Sequence, residues 1–404
     1  MDDVTPTQAR GRRWRASAHA SEGATTFELF FDLVYVFAVT QVTDLITHEH
    51  GFVGVLHGLI VLGMLWWTWC GFTWLGNQLR ADAGLGIIGF GLATIGVFVV
   101  AITIPQAWDS VDDGLPGPVV LVCAYLVVRV IHLVVYTVAA QGDAGLRRQI
   151  AISWLPLVGM GVLLAIGAVM GGQAQTILFA VAVLGEWLSI YVTSRRGNWR
   201  IHSASHWTER YELFVLIVLG ESLVAVGVGA AEHPLTLPLL IAAGSGVGLA
   251  ICLWWLYFDL VAPATERRIA ELTGAERVRV ALEAYVYGHV PLIAGVVIAA
   301  VGVEGALRSA DVLEPIGAFY GLCLTGGVAL HLVGHLIFDR RVLRARNIAR
   351  MCTLLVLVAL APVLVLLPAL ATLAMVTAVL TALVIFERVH FAELRQRYRS
   401  EQPA

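Results

Sequence analysis

Acidic and hydroxyl side chains interrupt the first long apolar stretch of the chain, and their spacing points to ion chemistry. Glu28, Asp32 and Tyr35 follow one another at i, i+4 and i+7, so they share one face if the stretch is helical. A carboxylate within a bilayer is costly, and it therefore faces a partner, a water-filled cavity or the interface. This face is our first candidate for an ion pathway.

A later apolar stretch has a related face, formed by Glu212, Leu216 and Leu219. If the two faces meet, Glu28 and Glu212 surround the opening of a pathway, and the aliphatic positions beyond them form a constriction that gates by dewetting. Two alternatives remain open. Asp32 can instead lock helices together through hydrogen bonds, and the two glutamates can complement the dipoles at helix N-termini.

A second set of polar residues lies deeper in other apolar stretches, where we predict a buried polar network. Its members are Arg129, His132, Glu186, Glu221, His289, His331 and His335. Glu221 is a candidate proton carrier with Arg129 as its counter-ion, or one half of a static ion pair. His331 and His335 have the i, i+4 spacing of metal ligands, but no carboxylate or cysteine completes a site. We therefore expect no metal, and instead proton relay or hydrogen bonding between helices.

The elements that hold these residues are long and apolar. The 404 residues are 58% hydrophobic and 14% charged, with a mean hydropathy of +0.81, which lies outside the range of soluble domains. A span needs about 20 apolar residues, and it must be helical to satisfy its backbone in lipid. We predict an all-α polytopic membrane protein with about twelve transmembrane helices. The predicted spans are 27–47, 53–75, 84–105, 118–139, 151–170, 175–194, 211–230, 236–259, 281–302, 316–338, 348–366 and 369–387.

The placement of arginine predicts the orientation. All 26 basic residues are arginines, and they concentrate in alternate connections, which the positive-inside rule assigns to the cytoplasm. We expect a multi-pass protein of the inner (plasma) membrane with both termini in the cytoplasm. His202 and His206 lie in one arginine-rich connection and are expected to be solvated. The tryptophans between residues 66 and 74 indicate an interfacial aromatic belt.

The two sets of six spans look like an internal duplication. The first predicted span opens with Glu28 and the seventh with Glu212, each followed by Leu-Phe, and Glu186 and Glu387 occupy matching depths in the sixth and twelfth spans. Each half has an even number of spans, so both halves have the same topology. The predicted organisation is an N-terminal arm (1–26), a first six-helix repeat (27–194), a linker (195–210), a second six-helix repeat (211–387) and a tail (388–404).

Two motifs resemble the bacterial low temperature requirement protein A (LtrA) family. They are ELFFDLVYVFAVTQ at residues 28–41 and ERYELFVLIVLGES at residues 209–222. The resemblance implies an integral membrane protein and leaves the mechanism open. The first span is also similar to helix 1 of bacterial and lysosomal potassium channels with an Arg…Phe-Ser-Asp signature, whose first helix in each six-helix unit lines the pore. Here Phe31 stands at the Ser position, and Leu216 stands at the Asp position of the second unit.

These features predict an ion conduit, for a cation or a proton, with the first and seventh helices lining the path. The alternatives are a proton-coupled transporter of a small solute, which would use Glu221 and the histidines, and a lipid-binding or structural membrane protein. Walker A, nucleophile-elbow and His-Glu-x-x-His motifs are absent from the sequence, so we expect neither an enzyme nor a cofactor. The expected partners are membrane lipids and a small ion or solute, with no nucleic acid, and association into a homo-oligomer is left open.

Overall fold

The protein is mainly helical in the residues that its computed structural model describes, which are 23–109, 114–195, 197–231, 233–311, 313–393 and 395. These residues form no strand, and Pro315 and Pro368 make an isolated backbone bridge. Most of the predicted N-terminal arm and of the predicted tail lies outside the described residues, as does Arg196 of the predicted linker.

Fourteen α-helices in the described residues are numbered here in chain order. They are α1 Thr26–Glu49, α2 Gly51–Gly76, α3 Leu85–Thr103, α4 Gly117–Ala139, α5 Ala144–Met170, α6 Gly172–Ser194, α7 Ala204–Ala231, α8 Leu237–Phe258, α9 Val261–Glu271, α10 Gly274–Val280, α11 His289–Arg308, α12 Ala318–Val342, α13 Ile348–Leu364 and α14 Ala369–His390. A short 3-10 helix, Ile104–Gln106, follows α3, and a π-helix, Ala281–Tyr287, precedes α11.

Length and composition make most of these helices membrane spans. In the described part of the chain, eleven helical segments are long and apolar enough to cross a bilayer, and α13 is a shorter apolar helix of 17 residues. A helix satisfies all of its backbone hydrogen bonds internally, which lipid requires. The predicted fold class, an all-α polytopic membrane protein, is confirmed.

The start of α7 differs from the sequence-based expectation. The apolar pattern predicts a span from residue 211, whereas α7 begins at Ala204. Ser203 stands immediately before the helix, and its hydroxyl accepts a hydrogen bond from the backbone N–H of His206 at 3.1 Å, as expected of an N-cap residue. His206 and Arg210 are therefore helical residues rather than members of a loop.

The chain divides into two compact units, and the first contains the described parts of Met1–Gln41, Ile60–Arg210 and Thr273–Arg279. Its core is aromatic. The ring of Phe31 on α1 lies 5.1 Å from that of Phe72 on α2 and 5.2 Å from that of Phe90 on α3, centroid to centroid. The clustered tryptophans of α2 also pack inside this unit, where Trp69 is fully buried. The predicted aromatic belt is wrong for them, because they contact other helices of the unit.

The second unit contains the described parts of Val42–Leu59, Tyr211–Leu272 and Val280–Ala404. Its centre is a close contact between α11 and α12 through glycines on both helices. A Cβ atom on Gly295 would lie 2.4 Å from the backbone nitrogen of His331, and one on Gly334 would lie 2.5 Å from that of Leu292. Small residues allow spanning helices to approach closely, and this approach positions the histidines of α12.

Candidate functional site

A buried ion pair joins α1 to the first turns of α7 within the first unit. Arg210 donates from Nη1 to Oδ2 of Asp32 at 2.6 Å and from Nη2 to Oδ1 at 2.8 Å. Trp69 donates from its indole nitrogen to Oδ1 at 2.9 Å, and the guanidinium lies 5.4 Å from its ring centroid. Such a bidentate fork is among the stronger polar contacts in proteins. The charge of Asp32 is matched by an arginine that the sequence pattern places in a connection.

Glu28 lies one turn before Asp32 and is held from two directions. Thr25 donates from its backbone nitrogen and its hydroxyl to Oε2, at 2.8 and 2.9 Å, and its hydroxyl accepts from the backbone nitrogen of Glu28 at 3.3 Å. This reciprocal pattern is a capping box. His206 Nε2 lies 3.0 Å from Oε1, and the His206 side chain is fully buried. The expectation that His206 is solvated is wrong, because α7 begins early enough to carry it inward.

The connection before α7 is fastened to the end of α2. Asn77 accepts from the backbone nitrogen of His202 at 2.6 Å and donates to the carbonyl of Ser203 at 2.8 Å. His202 remains at the surface, and its Nε2 lies 2.9 Å from Oε1 of Gln78. Partial burial, reinforced by the charge of Arg200, lowers the pKa of the His202 imidazole below its usual 6.5.

The remaining residues of the predicted pathway fall in different places. Tyr35 is fully buried in the first unit, and its hydroxyl lies 3.0 Å from that of Thr68. Glu212, Leu216 and Leu219 belong to the second unit. Leu219 is buried there, whereas Leu216 is 42% exposed. The α1 face is thus closed by protein side chains, and the α7 face is only partly buried.

A second buried ion pair lies deeper in the first unit, between α4 and α6. Arg129 donates from Nη2 to Oε1 of Glu186 at 2.5 Å, and the hydroxyl of Tyr125 donates to Oε2 at 3.2 Å. His132 is buried one turn along α4 from Arg129. The predicted pairing of Arg129 with Glu221 is wrong, because Glu186 on the neighbouring helix occupies the guanidinium. Glu221 is buried on the part of α7 that belongs to the second unit.

Arg350, in the first turn of α13, organises the polar centre of the second unit. It donates to both carboxylate oxygens of Glu387, at 2.8 and 3.0 Å, and to Oδ2 of Asp339 at 3.2 Å. It also donates to the carbonyl of Leu256 at 3.0 Å, and its Nη1 lies 3.0 Å from Nδ1 of His335. One buried guanidinium therefore ties together α8, α12, α13 and α14.

Two histidines extend this centre along α12. Nε2 of His335 lies 3.1 Å from Nε2 of His331, and Nδ1 of His331 lies 3.0 Å from the carbonyl of Leu292. The partners at the two ends assign the tautomers of the neutral rings. Arg350 can only donate, so His335 accepts at Nδ1 and carries its proton on Nε2. The Leu292 carbonyl can only accept, so His331 carries its proton on Nδ1. Every bond of the chain then has one donor and one acceptor.

His289 lies beside the π-helix of the second unit. Its Nδ1 lies 3.2 Å from the carbonyl of Ala284, and its Nε2 lies 2.9 Å from the hydroxyl of Tyr257. Pro291 has no backbone N–H to donate to the carbonyl one turn earlier. A π-helical turn also shifts the backbone hydrogen bonds by one residue, which changes the carbonyls that accept them. His289 therefore donates from Nδ1 to the carbonyl of Ala284, and its Nε2 accepts from the hydroxyl of Tyr257.

Five charged or histidine residues of these clusters were not among the sites that the sequence indicates, namely His206, Arg210, Asp339, Arg350 and Glu387. Their positions next to arginine-rich connections favour a solvated interpretation. The sequence contains a capping signal for two of them, because Ser203 precedes His206 by three residues and Asn347 precedes Arg350 by three residues. Asn347 does accept from the backbone nitrogen of Arg350, at 3.2 Å. The Ser203 cap begins α7 before the predicted span and so makes His206 a helical residue, whereas the Asn347 cap lies at the predicted start of α13.

Potential metal ligands are dispersed. Within the described residues, no group of three or more histidine, cysteine, aspartate or glutamate side chains could hold a metal ion. His331 and His335 have the spacing of ligands, but each uses its ring nitrogens in the hydrogen-bonded chain.

The model of the bacterial low temperature requirement A protein (LtrA) family matches residues 23–385, which include all residues of the three clusters except Glu387. The chain belongs to this family. A similar sequence is that of the protein of Rhizobium meliloti (strain 1021) described as uncharacterized protein RA0937. It is 25% identical over 347 residues, covering 81% of this chain and 80% of the relative. No solved structure matches this LtrA-family chain.

Proposed function

We propose that this LtrA-family membrane protein conducts protons through the second unit, along the chain formed by Arg350, His335 and His331. The observation that carries the proposal is the 3.1 Å contact between the two imidazoles, both of which are fully buried in a spanning helix. Ionisable residues in a spanning segment are costly, and they mark ion pathways and proton relays. The proposal is one of transport and includes no catalytic step.

Charge balance favours a proton at this centre. With Asp339 and Glu387 ionised, the two carboxylates and the one guanidinium of Arg350 have a formal net charge of −1. One added proton neutralises the cluster, which lowers the cost of keeping it in lipid. The neutral imidazoles offer the acceptor for that proton, and imidazole is the side chain best suited to exchange it near neutral pH.

The steps of transfer follow from the tautomers. A proton reaches Nδ1 of His335 when Arg350 withdraws Nη1, and the Nε2 proton of His335 then passes to Nε2 of His331. His331 releases the proton on its Nδ1 when that nitrogen leaves the Leu292 carbonyl for water. Both rings end in the opposite tautomer, so they must rotate before the next proton passes.

Orientation is part of the same proposal. Asp339, Arg350 and Glu387 lie next to arginine-rich segments of the sequence, which the positive-inside rule assigns to the cytoplasm. We therefore place this end of the relay, and both chain termini, on the cytoplasmic side of the inner membrane. The proposal also retains two six-helix repeats, 27–194 and 211–387. In each, an arginine pairs with a glutamate of the last helix, as Arg129 does with Glu186 and Arg350 with Glu387.

A cation path along α1 and α7 is the second candidate. The contact between Asp32 and Arg210 favours it, because it brings the first turns of the two helices together. The ion pair neutralises the acidic face, so conduction by this route requires the pair to open. A variant that removes both charges, Asp32→Asn with Arg210→Gln, would then conduct differently from the native protein.

Proton flux into liposomes tests the primary proposal. Purified protein is reconstituted in vesicles that contain a pH-sensitive dye, and a potassium gradient with valinomycin sets the membrane potential. We expect native protein to acidify the lumen faster than empty vesicles, and His335→Asn to reduce the rate at least tenfold. Glu186→Gln, in the corresponding pair of the first unit, is the matched control and should keep the native rate per folded molecule.

Four outcomes would count against a proton relay. Native protein could give no flux above empty vesicles, or His335→Asn could conduct like the native protein. Flux that depends on a saturable organic solute would instead favour a proton-coupled transporter. A loss of flux in the Asp32 and Arg210 double variant alone would favour the path along α1 and α7.

A further inference from the structure

A groove of about 780 Å³ runs along the surface of the second unit between α13 and α14. Ala349, Cys352 and Val356 line it from α13, and Val379 and Ala382 line it from α14. These positions repeat at three and four residues, so each helix contributes one continuous face. The small side chains leave a concave, apolar groove that follows the two helices for several turns.

One end of the groove is polar and basic. Arg346, Asn347 and His390 line this end, and Arg346 and His390 are exposed. The ring of His390 stacks on that of Phe386 at a centroid distance of 5.4 Å, which fixes its position at the end of α14. The first backbone N–H groups of α13 lie at the same end and add a partial positive charge. The groove is therefore apolar along its length and positive at one end.

We propose that this groove binds one anionic phospholipid, with an acyl chain along α13 and α14 and the phosphate at Arg346 and His390. The occupant follows from charge complementarity and from the surroundings. A groove between two apolar helices of a membrane protein opens to lipid, an acyl chain matches its apolar walls, and a phosphate matches an arginine beside a helix N-terminus. The lining of the groove contains none of the relay residues Arg350, His335 and His331.

The polar end of the groove adjoins the Arg350 centre through a single side chain. Asn347 lines the groove, donates from Nδ2 to Oε1 of Glu387 at 2.7 Å and caps the backbone nitrogen of Arg350. A lipid phosphate at this end would contact Asn347 from the groove, while Glu387 accepts a hydrogen bond from Asn347 on the opposite, protein side. Binding of the lipid therefore stabilises the first turn of α13, in which Arg350 lies.

Lipid retention measured by native mass spectrometry tests the proposal. Full-length protein in mild detergent is incubated with an equimolar mixture of phosphatidylglycerol and phosphatidylcholine that have identical acyl chains. We expect preferential retention of one phosphatidylglycerol, and a drop in that preference of about fivefold in Arg346→Gln. Ala382→Phe fills the groove and should remove retention of this lipid, although its basic end is intact.

Arg148→Gln is the matched control, because Arg148 is an exposed arginine near the start of α5, in the first unit. It should leave the preference for phosphatidylglycerol unchanged. Elution as a single symmetric species in size-exclusion chromatography establishes that each variant is folded. The proposal is overturned if native protein retains both lipids equally, if Ala382→Phe retains phosphatidylglycerol as the native protein does, or if Arg148→Gln loses as much preference as Arg346→Gln.

Discussion

Arg210 and Asp32 are 178 positions apart in the sequence and form a bidentate ion pair in the first unit, with both side chains almost fully buried. A buried pair contributes little net stability against an apolar pair, but the loss of one partner leaves a charge without compensation. The contact therefore makes the start of α7 dependent on α1.

Single and double substitutions of this pair should differ sharply. We expect Asp32→Asn or Arg210→Gln alone to destabilise the protein by about 3–5 kcal/mol, because the remaining charge is buried and unpaired. The double variant should be less destabilised than the sum of the two. The measurement is the half-life of the detergent-solubilised protein at a fixed temperature, and additive losses would show that the two groups are not coupled.

The contact of Glu28 with α2 depends on Gly76. A Cβ atom at this position would lie 2.2 Å from Oε1 of Glu28, so Gly76→Ala should displace the carboxylate from His206 and shorten the half-life. Gly159→Ala is the control, since a Cβ atom there meets no neighbour within 4 Å and alanine favours the helix. Equal half-lives for the two variants would contradict the described position of Glu28.

The corresponding glutamates of the two units should differ in function. Glu387→Gln removes one of the two negative charges beside Arg350, so the centre is neutral before a proton arrives, and we expect proton flux to fall at least tenfold. Glu186→Gln should shorten the half-life of the protein but keep the flux of each folded molecule. Flux assays and thermal inactivation of both variants check this contrast, and equal loss of flux in both would contradict the assignment of the relay to the second unit.

The connection before α7 should respond to acid through His202. Its pKa is lowered in the folded protein because burial disfavours the imidazolium, so the unfolded chain binds the proton more readily. The contribution of His202 to stability is therefore complete above about pH 6.5 and is lost as the pH falls through the lower, folded value. Midpoints of thermal unfolding between pH 5.5 and 8 should fall less steeply for His202→Gln than for the native protein, and parallel curves would contradict the prediction.

Sequence patterns predict the fold well because lipid leaves few choices. A long apolar stretch must be helical, so composition and block length indicate all-α architecture without knowledge of any contact. The same reasoning identifies ionisable residues whose burial in the bilayer is costly, and Asp32, His331 and His335 are indeed buried and hydrogen-bonded.

Partners are harder to predict, since hydropathy places a charged residue near a connection outside the membrane. Arg210 and Arg350 lie next to such connections in the sequence, yet both side chains are buried in the structure. The Ser203 cap begins α7 before the predicted residue 211, and the Asn347 cap begins α13 at the predicted residue 348, so both arginines are helical residues with partners inside the protein. The pairing of Arg129 with Glu186 rather than Glu221 depends on which helices are neighbours. Helical periodicity describes the faces of one helix and carries no information about the helix opposite.

The length of α13 makes the Arg350 centre sensitive to the thickness of the bilayer. Its 17 residues extend about 25 Å at 1.5 Å each, less than the hydrocarbon thickness of about 30 Å. A thicker, more ordered bilayer therefore imposes a mismatch on this helix before it affects its longer neighbours, at a fraction of a kcal/mol for each ångström. The helix that the mismatch affects first is therefore α13, and its first turn holds the guanidinium of Arg350. We expect the order of the membrane to affect the geometry of the polar centre through this helix.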